Sequence, residues 1–461
     1  MGLKKDLLRV SGANLVVMLS SIVNGIVLPY VLSIGSFSEL KTYTLYASFI
    51  GFLHLGFVDG LNIKYGGKTR EDIDKVEFNS FHNFFITFQL IILSLFVGIG
   101  LIINNNIILL LGLAILPINL QSFFLYYFQA IGEFKEYSKT TILVPLINLV
   151  LTLILVFIEV VDYRVYIIST IISYLISILF LERNYRIYSN FSFVIDKKSL
   201  ALKGSFKLYK AIFMSGFFIM LGNVLFTMFF DIGKWGAKFL TNNEGFAKYS
   251  LGISLIGFVM IFIGAINKTF YPYISRNNKV EQILKYKNIL YIISSFSLAG
   301  FFFLQIIIKT FLPKYIDSLP ITAVLMTSIP GMMIIKSIYI NLYKVQKKEK
   351  KFLYDTLIYL MFAVLLNIIL YFYLESLISI AIASVISIYI WTIFPISCFK
   401  IKKEEVSKEV LYLISILSLF WFVYMIHHTL FIKITVLTIS MLFINIIFFK
   451  KLIFNILNIK V

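Results

Sequence analysis

Charge is what this chain has least of. Asp, Glu, Lys and Arg make up 14% of its 461 residues, against roughly 25% in soluble chains. Together with 59% hydrophobic residues and a mean hydropathy of +0.91, that shortage excludes a soluble globular fold and makes the bilayer the solvent. Cysteine is nearly absent: Cys398 stands alone, so no intrachain disulfide can form and no thiol redox chemistry is suggested. Metal-ligand spacings, a nucleophile elbow and a phosphate-binding glycine loop are missing too, so neither ATP hydrolysis nor any cofactor is expected. The apolar runs Leu143 to Ile158, Leu357 to Leu374 and Leu411 to Ile426 lack the alternation of barrel strands. With no water in hydrocarbon to satisfy backbone polar groups, helices remain.

What is present is a series of apolar stretches. Charge clusters and Gly, Pro and Asn punctuation delimit fourteen: 8–34, 41–66, 79–103, 107–131, 138–159, 163–181, 207–232, 246–271, 286–308, 319–343, 352–374, 376–399, 408–426 and 429–449. The expected fold class is all-α and polytopic. Leu7 to Ile34 is too long for a signal-peptide core and has no small-x-small cleavage site, so it reads as a retained first span. A net charge of +19 would suggest nucleic acid in a soluble protein, but its distribution argues against that partner. Thirty-two of the 42 Lys and Arg fall at the termini and the even-numbered connections, Lys287 among them; eight fall on the other side, and Lys268 and Lys336 lie within spans. By the positive-inside rule both termini are cytoplasmic.

The longest connection, Leu181 to Phe206, separates six spans from eight. Across it the chain repeats itself. Tyr43-Thr44-Leu45, Ser48 and Ile50-Gly51-Phe52 match Tyr249-Ser250-Leu251, Ser254 and Ile256-Gly257-Phe258 at an offset of 206, and Ser11-Gly12 matches Ser215-Gly216 at 204. An even number of spans lies between the copies, so they point the same way, as lobes related by an axis along the membrane normal do. The expected division is an N-terminal lobe at 1–200, a C-terminal lobe at 201–400 and an extra helix pair at 401–461, with a polar cleft between the lobes.

An ionisable group inside a span costs about 2.5–3.5 kcal/mol on insertion scales, so each embedded one is a candidate site residue. Asp59 and Asn62 share a helical face, and under the repeat Asn62 corresponds to Lys268. These three could converge in the cleft; alternatively Asp59 pairs with Lys64 while Lys268 snorkels to the rim. Asp231, Lys234 and Lys238 share a face if the seventh helix continues through Gly233 and Gly236, and otherwise belong to a solvated loop. Lys336 is two turns inside Lys344, deeper than snorkelling reaches, which suits an interior role or a helix–helix hydrogen bond. Asn14 and Asn24 are polar on the first span and read as cavity lining or packing glue. Pro29 corresponds to Gly233 at the 204 offset, a candidate bend in both lobes. His54 reads as locally satisfied.

Several of these segments resemble the bacterial O-antigen and capsular polysaccharide repeat-unit flippases. The resemblance rests on Ile34-Gly35-Ser36-Phe37-Ser38-Glu39-Leu40-Lys41-Thr42-Tyr43, Gly56-Phe57-Val58-Asp59-Gly60 and Gln129-Ala130-Ile131-Gly132-Glu133-Phe134-Lys135. In the second half it rests on Asp231, Lys234, Phe239-Leu240, Glu244-Gly245, Tyr249-Ser250 and Tyr271-Pro272-Tyr273-Ile274-Ser275-Arg276. These loose motifs identify the superfamily of multidrug, oligosaccharidyl-lipid and polysaccharide exporters better than a cargo. The resemblance implies two six-helix lobes, alternating access, a bacterial cytoplasmic membrane and an undecaprenyl-diphosphate-linked oligosaccharide as cargo. Counter-transport of H+ or Na+, with Asp59 as the titrating group, is an open alternative, and membrane lipids and a polysaccharide polymerase are the other partners considered. Many members have twelve spans, so the pair after Lys400 is an addition. A multidrug exporter of the same superfamily is the nearest rival, though cationic drugs call for acidic cavity residues and the embedded set here is mainly Lys. A membrane-embedded polymerase or ligase would need a larger external loop than the one around Asp231 to Gly245.

The charge bias sets the topology to be tested. Reporter fusions after Lys41, Ser199 and Lys460 should read outside, inside and inside; an external signal from Ser199 would overturn the orientation.

Overall fold

The structure is a computed structural model; it describes residues 3–189, 205–276, 279–395 and 403–456, with side chains at 16–183, 207–260, 274–275, 279–395, 404–450 and 452–453. Among these the secondary structure is helical throughout, without strands. The helices are α1 (Leu3–Val31), α2 (Ile34–Ala47), α3 (Phe57–Tyr65), α4 (Lys75–Ile102), α5 (Asn106–Ala130), α6 (Phe134–Phe157), α7 (Tyr163–Ser189) and α8 (Ser205–Leu240). They continue as α9 (Asn243–Arg276), α10 (Val280–Ser297), α11 (Gly300–Phe311), α12 (Leu319–Met326), α13 (Ile329–Ile334), α14 (Ile340–Val345), α15 (Glu349–Leu374), α16 (Leu377–Ile393), α17 (Lys403–Met425) and α18 (Leu430–Ile456).

Polar residues at the ends of apolar runs start these helices by accepting orphan backbone N–H groups. Asp74 accepts from Val76 and Glu77 at the start of α4, Asn105 from Ile107 and Ile108 at the start of α5, and Ser376 from Ile378 at the start of α16. Among the described residues nine helical stretches are long and apolar enough to cross a membrane, eleven if each of two bent pairs is one span. The other three of the fourteen apolar runs are also helical: α1 and α9 contain side chains outside the described set, and α16 has only 17 residues. The chain is a polytopic helical membrane protein.

The chain divides into two compact units, Met1–Leu225 and Phe226–Val461, and the division falls inside α8. In unit 1 the core is a set of fully buried rings: Phe57 lies 5.6 Å from Phe85 in a stack and 6.2 Å from Phe81, and Phe85 stacks on Phe123 at 5.3 Å. The second span is broken. After α2 comes a single tight turn, Ile50–Phe52; Leu55 and Gly56 then take positive φ (50° and 84°), and α3 leaves at 47°. The Gly56 N–H exposed by the break donates to His54 Nδ1 at 3.0 Å. The repeat therefore differs in backbone: Tyr43 and Tyr249 are both buried in helices, but Gly51 lies in the tight turn while Gly257 lies inside the continuous α9.

Gly56, Gly60 and Gly216 let α3 and the first half of α8 touch backbone to backbone. A Cβ at Gly56 would fall 2.7 Å from the Gly216 carbonyl carbon, and one at Gly216 would strike the Gly56 carbonyl oxygen and the Gly60 nitrogen. Small residues four apart serve this purpose in membrane helices, where apolar surface gains nothing by leaving lipid and close packing drives association.

In unit 2 the tenth span bends by 47° between α12 and α13, then runs through a π-helical turn, Ile335–Tyr339, before α14. The additional pair α17 and α18 docks on α10 through polar groups. Lys287 Nζ lies 2.7 Å from Glu409 Oε1, Tyr291 donates to the same carboxylate, and Asn445 joins Tyr412 (2.8 Å) to Ser295 (3.0 Å). Lys287, expected at the edge of a basic connection, is buried: the carboxylate of α17 supplies the counter-charge that permits it.

The glycine crossing can be tested directly. Gly216→Ala should lower the melting temperature of the detergent-solubilised chain, corresponding to about 1–3 kcal/mol of overpacking. Gly98→Ala on α4, where an added Cβ meets nothing within 4 Å, should not.

Candidate functional site

Helix α8 runs unbroken through Gly233 and Gly236, so Asp231, Lys234 and Lys238 do share a helix rather than a loop. Asp231 and Lys234 form an ion pair at 2.7 Å, both partly buried. Lys238 lies over the Phe246 ring at 5.2 Å, one turn further out. Gly233 marks a close approach and no bend: a Cβ there would overlap the Tyr249 hydroxyl and come within 2.6 Å of Ser384 Oγ. Pro29 likewise sits inside α1, two residues before its end.

Lys336 completes this group. It projects from the π-helical turn of the tenth span, its ammonium 4.3 Å from the centre of the Phe230 ring and within electrostatic range of Asp231 and Lys234. A π turn inserts one residue into a helix and re-aims those beside it. The ring face offers a cation about 2 kcal/mol or more where water is excluded. Among the described residues of this group, two ammonium groups thus lie within range of one carboxylate. Around them lie the Tyr249 and Ser384 hydroxyls, 3.5 Å apart, and Asn367, whose Oδ1 accepts no hydrogen bond among the described residues. A separate groove of 520 Å³ between α12, α16 and α17 is lined by Val324, Ile382, Val385, Leu417, Trp421 and Tyr424, none of them charged.

Unit 1 holds the remaining described candidates. Asp59 is buried at the start of α3, its carboxylate 3.7 Å from His54 Nε2 and within electrostatic range of Tyr126. Lys64 is not its partner: its ammonium donates to Glu77 at 2.5 Å and lies over Phe81. One turn of helix separates Asp59 from Lys64, and the break at Gly56 turns Asp59 back toward His54. Asn62 is half-buried on the same helix. Asn24 belongs to a packing network, donating to Asn148 at 3.4 Å, which donates to Thr170 at 2.7 Å. The side chains of Asn14 and Lys268 lie outside the described residues.

Sequence reasoning passed over three buried arrangements: His54 with Asp59, His82 with Glu182 at 2.7 Å, and Lys287 with Glu409. Each was detectable as an ionisable residue inside or at the edge of an apolar run, but the partners are 5, 100 and 122 residues apart and only folding pairs them. Among the described residues no three His, Cys, Asp or Glu side chains are grouped to hold a metal ion.

No family model and no curated protein sequence matches the chain. Its fold, however, is that of solved transporters. It superposes on the lipid II flippase MurJ in an inward closed conformation with a TM-score of 0.66 at 15% identity, covering 96% of this chain and 99% of that one. The eukaryotic MATE transporter AtDTX14 superposes with a TM-score of 0.56 at 16% identity, covering 89% and 98%. The Vibrio cholerae MATE transporter VcmN follows at 0.54 and 14% identity, covering 84% and 94%.

The buried pair at the base of the additional helices is structural, and double substitution can establish this. Lys287→Ala should destabilise by about 3–5 kcal/mol, because Glu409 is left charged and buried, whereas Lys287→Met with Glu409→Leu should recover most of the loss in a thermal melt.

Proposed function

We propose that this chain is a flippase that carries an anionic, undecaprenyl-diphosphate-linked oligosaccharide repeat unit from the cytoplasmic to the outer leaflet of a bacterial inner membrane by alternating access. The observation that carries the reading is the pair of ammonium groups around one carboxylate in unit 2: Lys234 pairs with Asp231, and Lys336, over the Phe230 ring, lies within electrostatic range of both. A diphosphate accepts charge-assisted hydrogen bonds from such groups, and the neighbouring carboxylate keeps the hold weak enough for release. The apolar groove, with no charged group in its lining, suits the hydrocarbon of a lipid-linked cargo. The fold shared with a lipid II flippase supports transport of a lipid-linked substrate. Direction follows from the membrane potential: with the interior negative, each cargo charge crossing the full field gains about 2.3 kcal/mol per 100 mV. Outward movement therefore requires no ATP, and H+ or Na+ counter-transport would add to the drive. The flipped unit then passes to a polysaccharide polymerase.

The MATE transporters of the same fold keep a multidrug exporter as the second reading. The local excess of Lys over acid around Phe230 speaks for an anionic cargo.

A deletion strain should accumulate lipid-linked repeat units on the cytoplasmic face and lose surface polysaccharide. Lys336→Ala should lower flipping roughly tenfold or more at unchanged membrane level, the equivalent of about 1.5–3 kcal/mol for a hydrogen bond to a charged group, with Lys336→Arg retaining part. Lys268→Ala is expected to do the same; normal transport by both variants would remove these lysines from the site. Normal polysaccharide with heightened drug sensitivity would establish the exporter reading instead.

A further inference from the structure

The π turn that carries Lys336 is tied to the additional helix pair by a chain of hydrogen bonds. Within the turn the Ile340 N–H donates to the Ile335 carbonyl, five residues back, and the Asn341 amide donates to the Ser337 carbonyl at 2.9 Å. Ile335, Ser337, Ile338 and Tyr339 are buried, and Lys336 is half-buried. Tyr339 closes the turn. Its hydroxyl donates to the Thr392 carbonyl at the end of α16 at 2.5 Å and accepts from Lys287 Nζ of α10 at 3.0 Å. Lys287 is in turn held by both carboxylate oxygens of Glu409 on α17, at 2.7 and 2.8 Å.

Lys336 and Tyr339 are three residues apart, and on a regular α-helix such residues are neighbours on one face. Here they serve different helices: the ammonium lies over Phe230 of α8, and the hydroxyl bridges α10 and α16. The residue inserted by the π turn spreads the two side chains apart and re-aims the lysine. Rewinding the turn into a regular α-helix would bring the pair back toward one face and draw Lys336 off the ring. Hydrogen bonds are directional, so the two made by the Tyr339 hydroxyl fix the rotation of the turn at its end. Asp231 and Lys234, by contrast, stand on the unbroken α8, whose own backbone ladder sets their direction.

We propose that Tyr339 is a positioning residue for the Lys336 group, and that the C-terminal helix pair sets the aim of Lys336 through Glu409, Lys287 and Tyr339. The pair after Lys400 then has a task beyond adding two spans: it anchors the turn on which one ammonium of the anion-binding group stands. Sites held by such supporting hydrogen bonds lose their geometry when the support is removed, even though the binding side chain is untouched. The consequence for transport deepens the proposed function and rests on it; the aiming of the side chain does not.

Aim and transport can be measured apart. With 4-cyanophenylalanine in place of Phe230 in the full chain in nanodiscs, the infrared nitrile stretch reports the ammonium over the ring, and Lys336→Met should shift it. Tyr339→Phe should move the band in the same direction, and so should Lys287→Met with Glu409→Leu, which leaves α10 without a donor to the tyrosine. Ser295→Ala removes the hydrogen bond from Asn445 at the same docking surface without touching the turn; it should lower the melting temperature and leave the band in place. A band unmoved by Lys336→Met or by Tyr339→Phe, or moved as far by Ser295→Ala, overturns the positioning role. A band moved by Tyr339→Phe but not by the double variant overturns the part assigned to the helix pair. In vesicles carrying fluorescently labelled undecaprenyl diphosphate, Tyr339→Phe should lower flipping severalfold, toward the roughly tenfold loss expected of Lys336→Ala. In the Lys336→Ala background it should lower flipping no further, because two residues acting through one contact are not additive. Equal losses in both backgrounds, as a merely structural role predicts, overturn the link to transport. No flipping by the wild type, with the nitrile shifts present, overturns the transport reading while leaving the positioning role.

Discussion

Hydrocarbon offers no hydrogen bonds, and every polar group that enters the span region of this chain must find its partner within the protein. The backbone meets that demand by forming helices, and where a helix fails the repair is local. At the break before α3, the freed Gly56 N–H is taken by the imidazole of His54, and the same imidazole faces Asp59. One histidine thus stabilises both a backbone defect and a buried acid. Three glycines then allow α3 and α8 to meet without side chains between them, which fixes the break against a neighbouring helix.

The same demand sorts the buried charges by what surrounds them. Lys287 and Glu409 are matched one to one and further held by Tyr291 and Tyr339, an arrangement that docks the C-terminal helix pair. Around Phe230 the balance differs, with two ammonium groups and one carboxylate, and the ring takes up part of the surplus. His82 and Glu182 are matched in number but differ in kind from Lys287 and Glu409.

Much of this was legible before any coordinates. Lys336 was marked by depth alone, two turns inside Lys344, and it does lie in the interior beside a ring. Asp231 and Lys234 were marked by spacing, and their pairing required only that α8 continue. Gly233 was read as a bend because glycine weakens helices; it is instead the site where Tyr249 packs, and a missing Cβ says nothing about which of these uses applies until the neighbour is known. Lys64 was one of two alternatives weighed for Asp59, because sequence distance places it close, but the left-handed residues Leu55 and Gly56 bring His54 closer.

Composition and hydrophobic periodicity by themselves determined that the chain is helical and polytopic and where its apolar runs lie. These are properties of single residues and short windows meeting a uniform solvent, and a linear string records them. Only the tertiary structure decided which embedded groups meet: His82 with Glu182, Lys287 with Glu409, and Lys336 with Phe230. Partnership depends on which helices pack side by side and at what depth, and helices a hundred residues apart are brought together by the combined packing of all the others rather than by any local signal.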